Sequence, residues 1–193
     1  MPHASAEAIA LTGMMGAGKS TVAAHLGRLL QRRLVSTDAE VERRAGKPIA
    51  RIFSEDGELA FRALERTVVA GLAGPFVVDL GGGAFCDPSS ALRLLGTARV
   101  VYLDVSAGEA ARRLGGGEGR PLAASWERLL AVRLPLYRRA HHTVRVDGRT
   151  AEAVARTIVD LLRAPSPRPS PLAGGKPPFP PPGERESPKG GRS

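Results

Sequence analysis

Residues Gly13 to Ser20 read GMMGAGKS, a glycine-rich octad of the form G-x-x-x-x-G-K-[ST]. It lies between a short apolar run, Ile9–Thr12, and a stretch from Lys19 to Leu30 in which Val22, Leu26, Leu29 and Leu30 recur with a helical period. A strand, a tight loop and a helix in that order leave few possible folds. Gly13, Gly16 and Gly18 let the backbone curl so that consecutive N–H groups face one anion. The positive end of the following helix favours the same anion. Lys19 is placed to reach the β and γ phosphates of a nucleotide and Ser20 to ligate magnesium. Gly16, Ala17, Gly18, Lys19, Ser20 and Thr21 are the expected contacts to ATP. The loop alone does not separate a kinase from a GTPase or a motor.

The rest of the chain alternates apolar runs with helical patterns. Leu34–Val35, Phe76–Leu80, Arg99–Leu103 and Thr143–Val146 read as further strands. Asp38–Ala45, Glu58–Leu72, Ser90–Leu95, Ser106–Leu114, Trp126–Arg133 and Ala151–Leu162 read as helices. The alternation predicts an α/β domain over residues 1–164, with three layers and a parallel sheet covered on both faces. Residues 165–193 hold most of the chain's 16 prolines. Such a segment cannot bury enough apolar surface to offset the entropy of ordering, so it is expected to be a disordered Pro/Gly-rich tail.

Composition removes several classes of function. The single cysteine, Cys86, excludes an internal disulfide framework, and no apolar run has the length of a membrane span. A cytoplasmic protein is the simplest expectation. The formal net charge of +9 invites a nucleic-acid reading, but only 4% of residues are aromatic and the basic tail contributes to the charge. Neither nucleic acid nor membrane is expected as a partner.

Individual residues suggest an acceptor site. Asp38 follows the second strand, where ligands gather in parallel sheets, and a carboxylate there can accept a hydroxyl proton. It could equally cap the helix beginning at Thr37 and Asp38. Gly81, Gly82 and Gly83 follow a strand and would let a ligand approach the main chain. Arg120 lies among glycines in GGGEGRPL, a composition suited to a mobile lid that brings positive charge to a transferring phosphate.

Five stretches carry a family likeness: LTGMMGAGKSTV, STDAEVERRAGKPI, FRALE, LGGGA, and GRPL followed by RLPLYRRA. In this order and spacing the chain resembles the shikimate kinases, P-loop proteins similar to nucleoside monophosphate kinases, over about residues 9 to 163. The resemblance implies a central five-stranded parallel sheet, a mobile lid, a monomer, and phosphoryl transfer from ATP to the 3-hydroxyl of shikimate with magnesium. It makes Asp38 the acceptor-binding residue and proposed base, Arg62 and Arg133 the carboxylate clamps, Gly82 a substrate contact, and Arg120 the lid arginine, with Arg113 a second arginine near ATP. Glu65, one turn after Arg62, would steady that guanidinium. Arg149 would lie near adenine. Lys19, Asp38 and Arg120 are thus the expected catalytic residues.

One departure stands out. The family usually has Asp-x-Asp after the second strand, and here the segment is Ser36-Thr37-Asp38. Two residues before the glycine triplet, where the family usually has Ala or Ser, this chain has Asp79. The expectation is that the carboxylate has changed strands and that Asp79 holds the water shell of the magnesium bound directly by Ser20. Two alternatives remain open at this point: a related kinase for another acceptor such as gluconate, and a degenerate homologue that binds nucleotide without turnover.

Overall fold

The computed structural model describes residues 7–115 and 122–163. Among them, strands β1 (Ala8–Thr12), β2 (Leu34–Ser36), β3 (Val77–Asp79), β4 (Ala98–Asp104) and β5 (His142–Arg145) form one sheet in the order β2-β3-β1-β4-β5. Every pairing is parallel. Successive residues of a strand point to opposite faces. Ala10 and Leu11, and Val100 and Val101, are nonetheless all fully buried, so helices must cover the sheet on both sides. That burial explains why these strands read as continuous apolar runs and not as alternating ones.

The helices are α1 (Lys19–Leu30), α2 (Thr37–Ala45), α3 (Ile49–Glu55), α4 (Gly57–Ala70), α5 (Pro88–Thr97), α6 (Ala107–Arg113), α7 (Leu122–Tyr137) and α8 (Ala151–Arg163). No helix among the described residues is long and apolar enough to cross a membrane. The main core runs under the sheet strands and α1, α5 and α8. A second, smaller cluster of Val41, Ile52, Phe61 and Val68 lies apart from it and binds α2, α3 and α4 together. Helix α4 is the wall between them, since Val68 faces the small cluster and the next residue, Val69, faces the large one.

The expected architecture holds, with local corrections. Helix α3 is an addition; its seven residues offer too short a period to read, and only Ile52 is fully buried. Neither Thr37 nor Asp38 caps α2. Ser36 takes that place, its Oγ accepting from the Ala39 N–H at 3.3 Å. Helix α7 continues past the expected end at Arg133, through Pro135, to Tyr137. Strand β5 starts one residue earlier than expected, at His142. The expected lid arginine, Arg120, and the Pro/Gly-rich segment 165–193 lie outside the described residues.

Candidate active site

The octad closes the carboxyl end of β1. Gly16 adopts a left-handed φ of 84° and has α6 directly against it, where a Cβ would lie 2.9 Å from the Cα of Ala110. Gly18, at φ 82°, is the N-cap of α1 and offers no side-chain cap, so the first amides of that helix remain free for an anion. Within the loop the Lys19 ammonium donates to the carbonyls of Gly13 at 3.0 Å and Met14 at 3.3 Å. Burial lowers the pKa of Lys19, while the charges of Asp79 and then Asp38 oppose that shift. The lysine therefore sits between the phosphate cradle and two carboxylates.

The loop is braced from α7. The Trp126 indole N–H donates to the Met15 carbonyl at 3.1 Å. Tyr137, fully buried and stacked on Tyr102 with centroids 5.0 Å apart, meets the Met14 sulfur at 3.9 Å and donates to the Gly82 carbonyl at 2.6 Å. One side chain thus touches both the phosphate loop and the glycine triplet. The sequence pattern marks neither contact: Trp126 reads as an apolar helix residue, Tyr137 lies beyond the expected end of that helix, and no spacing displays the polar end of either.

Each residue of the triplet gives way to a different charged group. A Cβ on Gly81 would collide with Asp38 Oδ1 and lie 3.1 Å from Glu65 Oε1. One on Gly82 would lie 3.3 Å from Arg133 Nη1 and 4.0 Å from the Gly13 carbonyl of the phosphate loop. One on Gly83 would collide with Arg62 Nη1. The missing side chains therefore let Asp38, Arg133 and Arg62 crowd three consecutive residues beside the phosphate cradle. Thr37 holds the triplet in register, since its Oγ1 accepts from the Gly81 N–H at 2.8 Å and donates to the Asp79 carbonyl at 3.4 Å. The Arg133 guanidinium donates to the Gly82 carbonyl at 3.1 Å.

The charges in this cleft are set by their neighbours. Asp38 stands at the open mouth of the site, yet partial desolvation, followed by the Asp79 charge, raises its carboxyl above the ordinary range; Lys19 and Arg62 only partly offset this. Glu65 is buried, its Oε2 accepting from Arg62 Nη1 at 2.7 Å and its Oε1 without a hydrogen-bond partner among the described residues; desolvation raises its pKa as well. Burial acts to lower the pKa of Arg62, but hydrogen bonds and charge from Glu65 and Glu58 outweigh it and raise the value. Its guanidinium carbon also lies 5.0 Å from the centroid of the Phe61 ring, which itself meets Phe53 at 4.7 Å. Glu65 has the steadying role expected of it.

A second hollow opens on the far side of the loop. Ala17, Gly18, Thr21, Arg113, Val146 and Arg149 line a cavity of about 250 Å³. Arg113 donates to the Gly16 and Ala17 carbonyls, both at 3.3 Å, and to the Val146 carbonyl at 2.9 Å. Arg149 donates to Thr157 Oγ1 at 2.5 Å. Both arginines are thus fixed walls beside the loop. At the start of α1, Ser20 Oγ donates to Asp79 Oδ2 at 2.6 Å.

A strand-loop-helix phosphate cradle with its lysine, set at the carboxyl edge of a parallel sheet and facing a pocket of one carboxylate and two guanidinium groups, defines an ATP-dependent small-molecule kinase of the P-loop class. The family model described as shikimate kinase matches residues 15–163, and the chain belongs to the shikimate kinase family. It is 45% identical over 171 residues to the shikimate kinase of Mycobacterium marinum, a match that covers 83% of this chain and 92% of that relative. It is 46% identical over 167 residues to that of Mycobacterium tuberculosis, covering 81% and 94%. A solved structure of shikimate kinase from Acinetobacter baumannii in complex with shikimate superposes with a TM-score of 0.76 at 35% identity, covering 82% of this chain and 93% of that one.

Proposed function

We propose that this enzyme transfers the γ-phosphate of ATP to the 3-hydroxyl of shikimate, giving shikimate 3-phosphate and ADP on the route to chorismate and the aromatic amino acids. The observation that carries this reading is the packing of Asp38, Arg133 and Arg62 against three consecutive glycines beside the phosphate loop. Shikimate has one carboxylate and a face of hydroxyls. Two guanidinium groups match the former, and one carboxylate matches the latter. The shikimate-bound relative supports the same choice.

In this reading the loop amides and Lys19 hold the β and γ phosphates, and adenine occupies the hollow between Arg113 and Arg149. Arg62 and Arg133 grip the acceptor carboxylate, with Glu65 fixing the angle of Arg62 and the Gly82 carbonyl fixing Arg133. Asp38 orients the 3-hydroxyl and takes its proton. The hydroxyl oxygen forms a bond to the γ-phosphorus, the bond from that phosphorus to the β–γ bridging oxygen breaks, and ADP leaves with the electron pair. Lys19 balances the charge that shifts onto the bridging oxygen, and Arg120 is the second cation that the family resemblance assigns to it. Positioning and electrostatics supply most of the acceleration.

The donor set at the end of the loop fits magnesium: Ser20 Oγ and a carboxylate oxygen lie 2.6 Å apart, both hard oxygen donors. Ser20 would hold the ion directly. When bound, magnesium would supply positive charge to offset that of the nucleotide phosphates. We take the enzyme to act as a cytoplasmic monomer on small molecules alone.

The test is ADP release with a panel of acceptors that includes shikimate and gluconate. Stimulation by shikimate alone is expected, and no stimulation by shikimate rejects the reading. A substitution sharpens it. Arg133→Lys keeps the charge but loses the two-pronged geometry, and its KM for shikimate is expected to rise about 30-fold, from the loss of roughly 2 kcal/mol on breaking a desolvated charge pair. The KM for ATP should stay within about twofold. An equal rise in both would place Arg133 in the general integrity of the site and not in acceptor binding.

A further inference from the structure

Resting on that reading, we propose that Asp79 is the carboxylate that organises magnesium in this enzyme, in the role left open by Ser36, and that it acts through Ser20 from one strand nearer the phosphate loop. Ser36 and Asp79 are register partners on β2 and β3. They are therefore direct neighbours across the sheet, about 4.8 Å apart. Asp79 is also the register partner of Leu11 on β1, the strand that leads into the loop, whereas β2 does not touch β1. Exchanging a serine and an aspartate between these two positions moves the negative charge sideways toward the cradle without altering the backbone.

The side chains have taken up the consequences. Ser36 turns back and caps α2 through Ala39. Asp79 is half-buried and accepts from the Ser20 hydroxyl at 2.6 Å. The strand end that carries it is paired with Leu11 on one side and Ser36 on the other, and Thr37 Oγ1 approaches its main-chain carbonyl at 3.4 Å. A carboxylate hydrogen-bonded to the serine that meets the metal sets the direction of that serine's lone pairs, and its second oxygen, which makes no hydrogen bond among the described residues, would hold a metal-bound water. Magnesium is commonly bound through one or two carboxylates together with substrate phosphates, and keeps several of its waters. Asp79 and Ser20 supply that protein share from a single point.

The experiment is calorimetric titration of ADP into the full chain, with and without magnesium, and with no acceptor present. Wild-type protein is expected to bind ADP more tightly with the metal. In Asp79→Asn that tightening is expected to shrink by about tenfold or more, the usual cost of losing an outer partner of a metal site. Its affinity for metal-free ADP should be unchanged or slightly improved, since a negative charge has gone. The double exchange Ser36→Asp with Asp79→Ser should recover most of the tightening, and thermal melts would establish that each protein is folded. Full magnesium tightening in Asp79→Asn overturns the proposal. So does a folded double exchange no better than Asp79→Ser alone, or a wild-type protein indifferent to magnesium. Because no acceptor is used, these results are independent of whether shikimate is the substrate, and the acceptor panel stands or falls without them.

Discussion

Asp38→Asn is expected to lower kcat by about 10³-fold, with ATP affinity nearly unchanged, since a positioned general base contributes roughly 10² to 10⁴. Asparagine preserves the shape of the side chain at Gly81 and still accepts a hydrogen bond from the acceptor, but it cannot take up the proton. The variant also carries a pH signature. Desolvation and then the Asp79 charge hold the Asp38 carboxyl above its ordinary value. A base is active only when ionised, so wild-type kcat/KM should fall as pH drops through that raised value, and the residual rate of the variant should lack this acid limb.

The same shift has a consequence for stability. An acid whose pKa is raised by folding binds its proton more tightly in the folded chain. The stability this adds is fully present below the unfolded value and is lost as pH rises through the folded one. The amide of the Asp38→Asn variant has no proton to lose, so that protein should melt slightly higher than wild type at neutral pH, with the gap closing in acid. The Asp38 side chain is only partly desolvated, which keeps the effect small. Melting curves across pH, together with pH–rate profiles, test both halves. A variant with wild-type turnover would remove Asp38 from the chemistry.

Lys19→Met should cost about 10³-fold in kcat, more than a single neutral donor, because it removes a full charge from the point where charge moves in phosphoryl transfer. Methionine approximates the length and bulk of the stem. What it lacks is the ammonium that donates to the Gly13 and Met14 carbonyls and faces Asp79 and Asp38. Among the described residues, the cations left near those two carboxylates would then be Arg62 and Arg133. ADP affinity should fall far less than kcat, since the loop amides and the helix end remain. Single-turnover measurements separate the two, and a loss confined to ADP affinity would show that Lys19 only binds.

The layers of the fold were legible because a parallel sheet buried on both faces leaves uninterrupted apolar runs, as in Val100 to Leu103. The phosphate loop was legible because its chemistry is local: the consecutive residues Gly13 to Ser20 make the whole cradle. The acceptor site was not legible from spacing alone. Asp38, Arg62, Gly82 and Arg133 are scattered over about half the sequence, and only the resemblance grouped them before the triplet was seen to seat them together. Helix α3 escaped because seven residues hold too few turns for a period to emerge. The capping role of Ser36 was missed because a serine at a strand end and one at a helix start look alike in sequence. Trp126 and Tyr137 were hidden for a related reason: each is apolar in bulk and polar at one atom, and their partners are main-chain carbonyls, which no sequence pattern displays.

The separate apolar cluster beneath α2, α3 and α4 divides the mechanical support of the molecule in two. The acceptor-facing Arg62 and Glu65 ride on a helix whose one side is anchored in this minor nucleus, while the nucleotide cradle is rooted in the larger one. Truncating Ile52 or Val41 should therefore loosen the grip on Arg62 before it disturbs the phosphate loop.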